Sequence, residues 1–100
     1  MPMLPIALRP EVIQAFCVRN RIRKLSLFGS VLTPSFCPES DIDVLVEFEP
    51  EARITYLDLA AMEIELSELL RRKVDLRTPR ELSRYFRDQV IREAVVQYER

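Results

Sequence analysis

Histidine is missing from the chain altogether. Its absence removes serine and cysteine triads with an imidazole base, histidine-ligated zinc and H-E-x-x-H proteases together. Acid–base or metal chemistry must then rest on carboxylates. Cysteine is nearly as scarce: Cys17 and Cys37 are the only two, which gives neither a disulfide framework nor a C-x-x-C metal site, and two reduced thiols are expected. No stretch approaches the ~18 apolar residues of a membrane span. The segment Met1–Leu8 holds two prolines and no basic start followed by an apolar run, so it does not read as a signal peptide. The expectation is a soluble, cytoplasmic protein without membrane association. No internal repeat or low-complexity segment appears, and Gly29 is the only glycine.

What is present is ordinary for a globular chain: 100 residues, 48% apolar and 31% charged, enough for one core and too little for a second domain. A single domain over residues 1–100 is therefore expected. The net charge of -1 hides a segregation. Residues 1–38 carry five basic and one acidic side chain, residues 39–70 one and ten, and residues 71–100 nine and five. An acidic middle between basic flanks argues against a nucleic-acid binder, which would show a sustained basic face, and suggests a site for cations.

Pro10 and Glu11 suit the first turn of a helix, and Val12, Ile13, Phe16 and Cys17 follow on one stripe until Asn20. Leu25 and Leu27 alternate with Lys24 and Ser26, predicting a strand over Lys24–Phe28 that Gly29 ends. A loop is expected from Thr33 to Ser40. Over Asp41–Phe48 the alternation places Ile42, Val44, Val46 and Phe48 on one face and Asp41, Asp43, Leu45 and Glu47 on the other. Ile54–Leu70 carries two sets at helical spacing, Leu57, Ala61, Ile64 and Leu59, Met62, Leu66, Leu69. Lys73–Arg77 reads as a third strand. Leu82, Phe86, Val90 and Ala94 predict a closing helix over Arg80–Tyr98, with Arg80, Arg84 and Arg87 along one side as a candidate docking face. The class is α/β or α+β: a mixed sheet covered by helices.

Aspartate suits strands poorly, so Asp41 and Asp43 on one strand face need a reason. Period two sets their Cα atoms roughly 6.6 Å apart, near enough for both carboxylates to grip one or two cations. Without a cation they repel, and one is pushed toward protonation. Solvent-facing charges that protect an edge strand explain the pair equally well. Asp75, between Val74 and Leu76, joins them if its strand neighbours theirs, and such a trio suits two-metal phosphoryl or nucleotidyl transfer. Gly29 permits a positive φ or a close backbone approach. A helical turn starting at Ser30 would offer N–H groups and a hydroxyl to a nucleotide's phosphates; a plain turn glycine and a capping serine are the simpler alternative.

Leu27-Phe28-Gly29-Ser30, ten residues, then Asp41-Ile42-Asp43 resemble the G-S-x10-D-x-D signature of the nucleotidyltransferase superfamily related to DNA polymerase beta. Ser40–Val46 looks like that family's second catalytic strand, and Asp75 falls where a third carboxylate is expected. In length and element order the chain is similar to the minimal nucleotidyltransferases, the MNT-domain antitoxins paired with HEPN-domain toxins. The resemblance implies a mixed sheet with flanking helices, Mg²⁺ bound by Asp41, Asp43 and Asp75, Asp75 also acting as base, and phosphate held by Gly29 and Ser30. It further implies transfer of AMP from ATP to a tyrosine of a HEPN toxin, within a hetero-oligomer and without direct nucleic-acid binding. The segment Val31–Glu39 departs from many relatives, having no arginine, lysine or glycine.

Other readings of the D-x-D pair fit less well. A haloacid-dehalogenase strand normally continues with Gly or Thr, whereas Val44-Leu45-Val46 prolongs the strand here. D-x-D glycosyltransferases are far longer, and poly(A) or CCA-adding polymerases carry extra domains for RNA. The main alternative is an antitoxin with little catalysis that silences its toxin by binding alone.

Overall fold

A computed structural model describes residues 8–34, 37 and 39–100. The predicted loop Thr33–Ser40 lies partly outside these residues, as does almost all of Met1–Leu8. Helix α1 (Pro10–Arg19) starts with Pro at its first position and Glu11 in its first turn, and ends with Arg19, each placed where φ and the helix dipole favour it. It buries Ile13, Phe16 and Cys17. Strand β1 (Ile22–Phe28) runs into a 3-10 turn over Gly29–Leu32. Strand β2 (Ile42–Phe48) begins one residue after Asp41. Helix α2 (Tyr56–Leu70) opens with a capping box in which the Thr55 side chain accepts from the Asp58 N–H and the Asp58 carboxylate accepts from the Thr55 N–H. Strand β3 (Val74–Arg77) follows.

The segment predicted as one helix over Arg80–Tyr98 is instead a 3-10 turn (Pro79–Glu81), helix α3 (Arg87–Glu93) and strand β4 (Val95–Glu99). A second capping box, Thr78 with Glu81, closes the first turn, and the chain turns extended at Leu82. The Arg87 guanidinium then donates to the Pro79 and Leu82 carbonyls at 2.7 and 3.0 Å, groups that a continuous helix would pair itself. Beyond Ala94, Val95 and Val96 join a ladder with β1, which suits β-branched side chains. Arg80, Arg84 and Arg87 consequently do not share a helix side: only Arg87 lies in α3.

The sheet order is β3-β2-β1-β4, with β1 antiparallel to both β2 and β4 and β2 parallel to β3. One face carries the core, in which Leu25, Leu27, Ile42, Val44, Val46, Val74 and Leu76 meet Ile13, Phe16 and Cys17 of α1 and Met62 and Leu66 of α2. Of the two sets read on α2, Met62 and Leu66 are buried, Leu59 is partly buried, and Leu57, Ile64 and Leu69 are exposed. The opposite face holds Asp43 and Glu47 as expected, yet Leu45 there is buried as well. No helix among the described residues is long and apolar enough to cross a membrane.

Candidate active site

The sheet register sets Asp43 beside Asp75 and beside the end of β1. Across β1 and β2, Phe28 faces Asp43; across β2 and β3, Asp43 faces Asp75. Gly29 follows Phe28 with φ at +76°, a left-handed value that side chains with a Cβ tolerate poorly. Space decides more firmly still, because a Cβ at Gly29 would lie 2.3 Å from Asp43 Oδ2. The Ser30 backbone faces the Asp43 carboxylate and favours its charged form, and the Ser30 carbonyl accepts from the Thr33 N–H at 2.9 Å and hydroxyl at 2.8 Å. The 3-10 turn begins at Gly29 and sets its first residues against the central aspartate.

Asp41 and Asp75 flank that centre, each beside a cation. Lys73 Nζ stands 3.8 Å from Asp41 Oδ2, and Arg77 Nε 3.0 Å from Asp75 Oδ1. Burial pushes the Asp43 carboxyl above the usual aspartate range, and the charges of Asp75 and then Asp41 push the same way; Ser30 and Arg77 pull it down. Two α2 side chains hold β3 from its outer edge: Ser67 Oγ accepts the Val74 N–H at 3.0 Å, and Glu63 Oε2 accepts the Leu76 N–H at 2.9 Å. Asp75 is thus fixed on both sides by backbone bonds that also close the sheet edge.

Residues 11–100 match the family described as "Polymerase beta, Nucleotidyltransferase". The chain belongs to this nucleotidyltransferase family. A Methanocaldococcus jannaschii protein, provisionally named as the protein adenylyltransferase MJ0435, is 33% identical over 78 residues, which span 78% of this chain and 82% of that one. A solved structure provisionally described as a minimal nucleotidyltransferase is 37% identical with a TM-score of 0.71, covering 87% of each chain. An MNT antitoxin in complex with a tri-AMPylated Shewanella oneidensis HEPN toxin superposes with a TM-score of 0.65 at 22% identity, covering 91% of this chain and 70% of that one.

Among the described residues of this nucleotidyltransferase, no three Asp, Glu, Cys or His side chains are already drawn into a metal cage. Asp41 lies beside Lys73 and Asp75 beside Arg77 in the two ion pairs. The donor set nonetheless suits a divalent cation. Burial first, then the charges of Asp75 and Asp41, raise the proton affinity of Asp43, and a hard cation with oxygen preference relieves that repulsion. Beside Asp75 and Arg77 lies a hollow of about 320 Å³ bounded by Tyr56, Leu59 and Glu81. Those three residues also line a hollow of about 810 Å³ that reaches Phe48 and Arg80.

The aspartates and the glycine stand out in the sequence, whereas Glu63, Ser67 and Arg77 are brought to them by the fold. A signal existed for Arg77 alone, since period two sets it on the strand face of Asp75.

Proposed function

We propose that this nucleotidyltransferase is the antitoxin of a toxin–antitoxin pair and transfers AMP from ATP, with Mg²⁺, to a tyrosine of a HEPN-domain toxin. The register that sets Asp43 between Gly29-Ser30 and Asp75 carries the reading. It is supported by the relative named as a protein adenylyltransferase and by the likeness to the antitoxin bound to an AMPylated toxin. Gly29 and Ser30 hold phosphate, and Asp41, Asp43 and Asp75 hold Mg²⁺. The bound ion would supply charge neutralisation on the phosphates. Asp75 takes the proton of the tyrosine hydroxyl as that oxygen bonds to the α-phosphorus, and the bond to the β-phosphate oxygen breaks to release pyrophosphate. The hollow beside Asp75 gives the acceptor segment room to approach.

A binding-only antitoxin is the second reading, favoured by the lack of any basic residue in Val31–Glu39. The site is tested by melting curves with and without ATP and Mg²⁺, because a ligand that binds only the folded state raises the melting temperature. Wild type should shift, and the double variant Asp41→Asn/Asp43→Asn should not. An equal shift in both would remove these residues from the nucleotide site.

A further inference from the structure

Asp41 is held by the backbone on either side of it, and both holds come from consecutive residues between α2 and β3. On one side the Lys73 carbonyl accepts the Ile42 N–H at 2.9 Å. On the other, Arg72 Nη2 donates to the carbonyls of Cys37 and Ser40 at 2.9 and 3.0 Å. Cys37 and Ser40 are themselves tied together, the Ser40 N–H donating to the Cys37 carbonyl at 2.9 Å and the Cys37 N–H to Ser40 Oγ at 3.2 Å. Arg72 reaches them because α2 ends at Arg71 in the left-handed conformation, φ 54° and ψ 36°, which turns the chain back while the Arg72 N–H stays on the Ser67 carbonyl at 3.2 Å.

We infer that Arg72 is a positioning residue for the carboxylate pair: its guanidinium fixes the chain entering Asp41 and so aims that carboxylate toward the cation that Asp43 shares. The inference rests on the proposed role of these carboxylates as cation ligands. Both bonds leave one nitrogen, Nη2, whose two N–H groups can each meet a carbonyl. Lys73 lies beside Asp41 as a charge, 3.8 Å from Oδ2, whereas Arg72 meets the loop through hydrogen bonds.

The two roles differ in sign. Removing any positive charge near the site strengthens cation binding by Coulomb's law; removing a positioning contact weakens it. Mn²⁺ alone is the probe, titrated against folded protein, well below each variant's melting temperature, with free Mn²⁺ read by electron paramagnetic resonance. Arg72→Met should bind Mn²⁺ about tenfold more weakly, the equivalent of roughly one net hydrogen bond, although the site has become more negative. Arg72→Lys, which keeps donors and charge, should recover most of the loss, and Lys73→Met should bind as tightly as wild type or more so. If Arg72→Met does not fold, Arg72→Gln replaces it with the same expectation. Equal or tighter binding in the neutral Arg72 variant overturns the positioning role while leaving the cation site intact. A wild-type chain that takes up no Mn²⁺ overturns the cation site, and the positioning role with it.

Discussion

Gly29 and Asp43 occupy each other's space: the position a Cβ would take at Gly29 is 2.3 Å from Asp43 Oδ2 and 3.1 Å from its Cγ. The backbone at Gly29 can approach the carboxylate only because no side chain intervenes. Gly29→Ala should therefore displace Asp43 as well as strain a left-handed φ, lowering stability by about 1–3 kcal/mol and abolishing the ATP-induced rise in melting temperature. Chemical denaturation and the nucleotide shift check the two halves separately. An unaltered nucleotide shift in a folded Gly29→Ala protein would place the phosphates elsewhere.

The raised proton affinity of Asp43 has a definite sign. Burial first, then Asp75 and Asp41, disfavour its charged form in the folded state, so the folded protein holds this proton more tightly than the unfolded chain does. The stability it contributes is fully present below the ordinary value of 3.8 and is lost as pH rises through the higher folded value. Asp43→Asn should leave stability nearly unchanged in acid below that range and raise the melting temperature of the cation-free protein at neutral pH. A melting temperature that falls at neutral pH would contradict the repulsion argued for the site.

With the single glycine placed at residue 29, two left-handed positions among the described residues are filled by arginine: Arg21 at φ 56° after α1 and Arg71 at φ 54° after α2. Glycine normally serves there. Arg71→Gly should stabilise the protein by up to about 1 kcal/mol, and Arg21→Gly by a similar amount, as read from urea midpoints at unchanged slope.

The two cysteines should separate cleanly by reactivity. Cys17 is fully buried in the core, and burial pushes its thiol up to about 12, whereas Cys37 is exposed. Since the thiolate is the reactive form, a thiol reagent at pH 8 should label Cys37 alone in the native protein and both after denaturation. Fast labelling of Cys17 would mean that the α1–sheet core opens readily.

Much of this arrangement is legible in the sequence because it is local. Pro10 marks the start of α1, alternation about Leu25 and about Val44 marks two strands, and a strand-borne Asp41-Ile42-Asp43 stands out by its chemistry. The fold of the last twenty residues is not legible. Leu82, Phe86, Val90 and Ala94 keep helical spacing, but Phe86 is 60% exposed, and what decides the fate of Val95–Tyr98 is pairing with Leu25–Leu27, some seventy residues earlier. Parallel pairing likewise sets Asp75 beside Asp43, a register fixed by how α2 packs and by the grip of Glu63 and Ser67 on β3. Arg72 gives no sequence signal, because its partners are backbone carbonyls more than thirty positions away.

The Asp41, Asp43 and Asp75 constellation is proposed to transfer AMP to a partner protein. Its most direct test is intact-mass spectrometry of a HEPN-domain protein from the same genome, co-expressed with this chain or with its Asp43→Asn or Asp75→Asn variant. The partner should gain the mass of one or more adenylyl groups with wild type and none with either variant. A partner that is bound and silenced without any mass gain, and equally well by Asp43→Asn, would contradict transfer and leave neutralisation by binding alone.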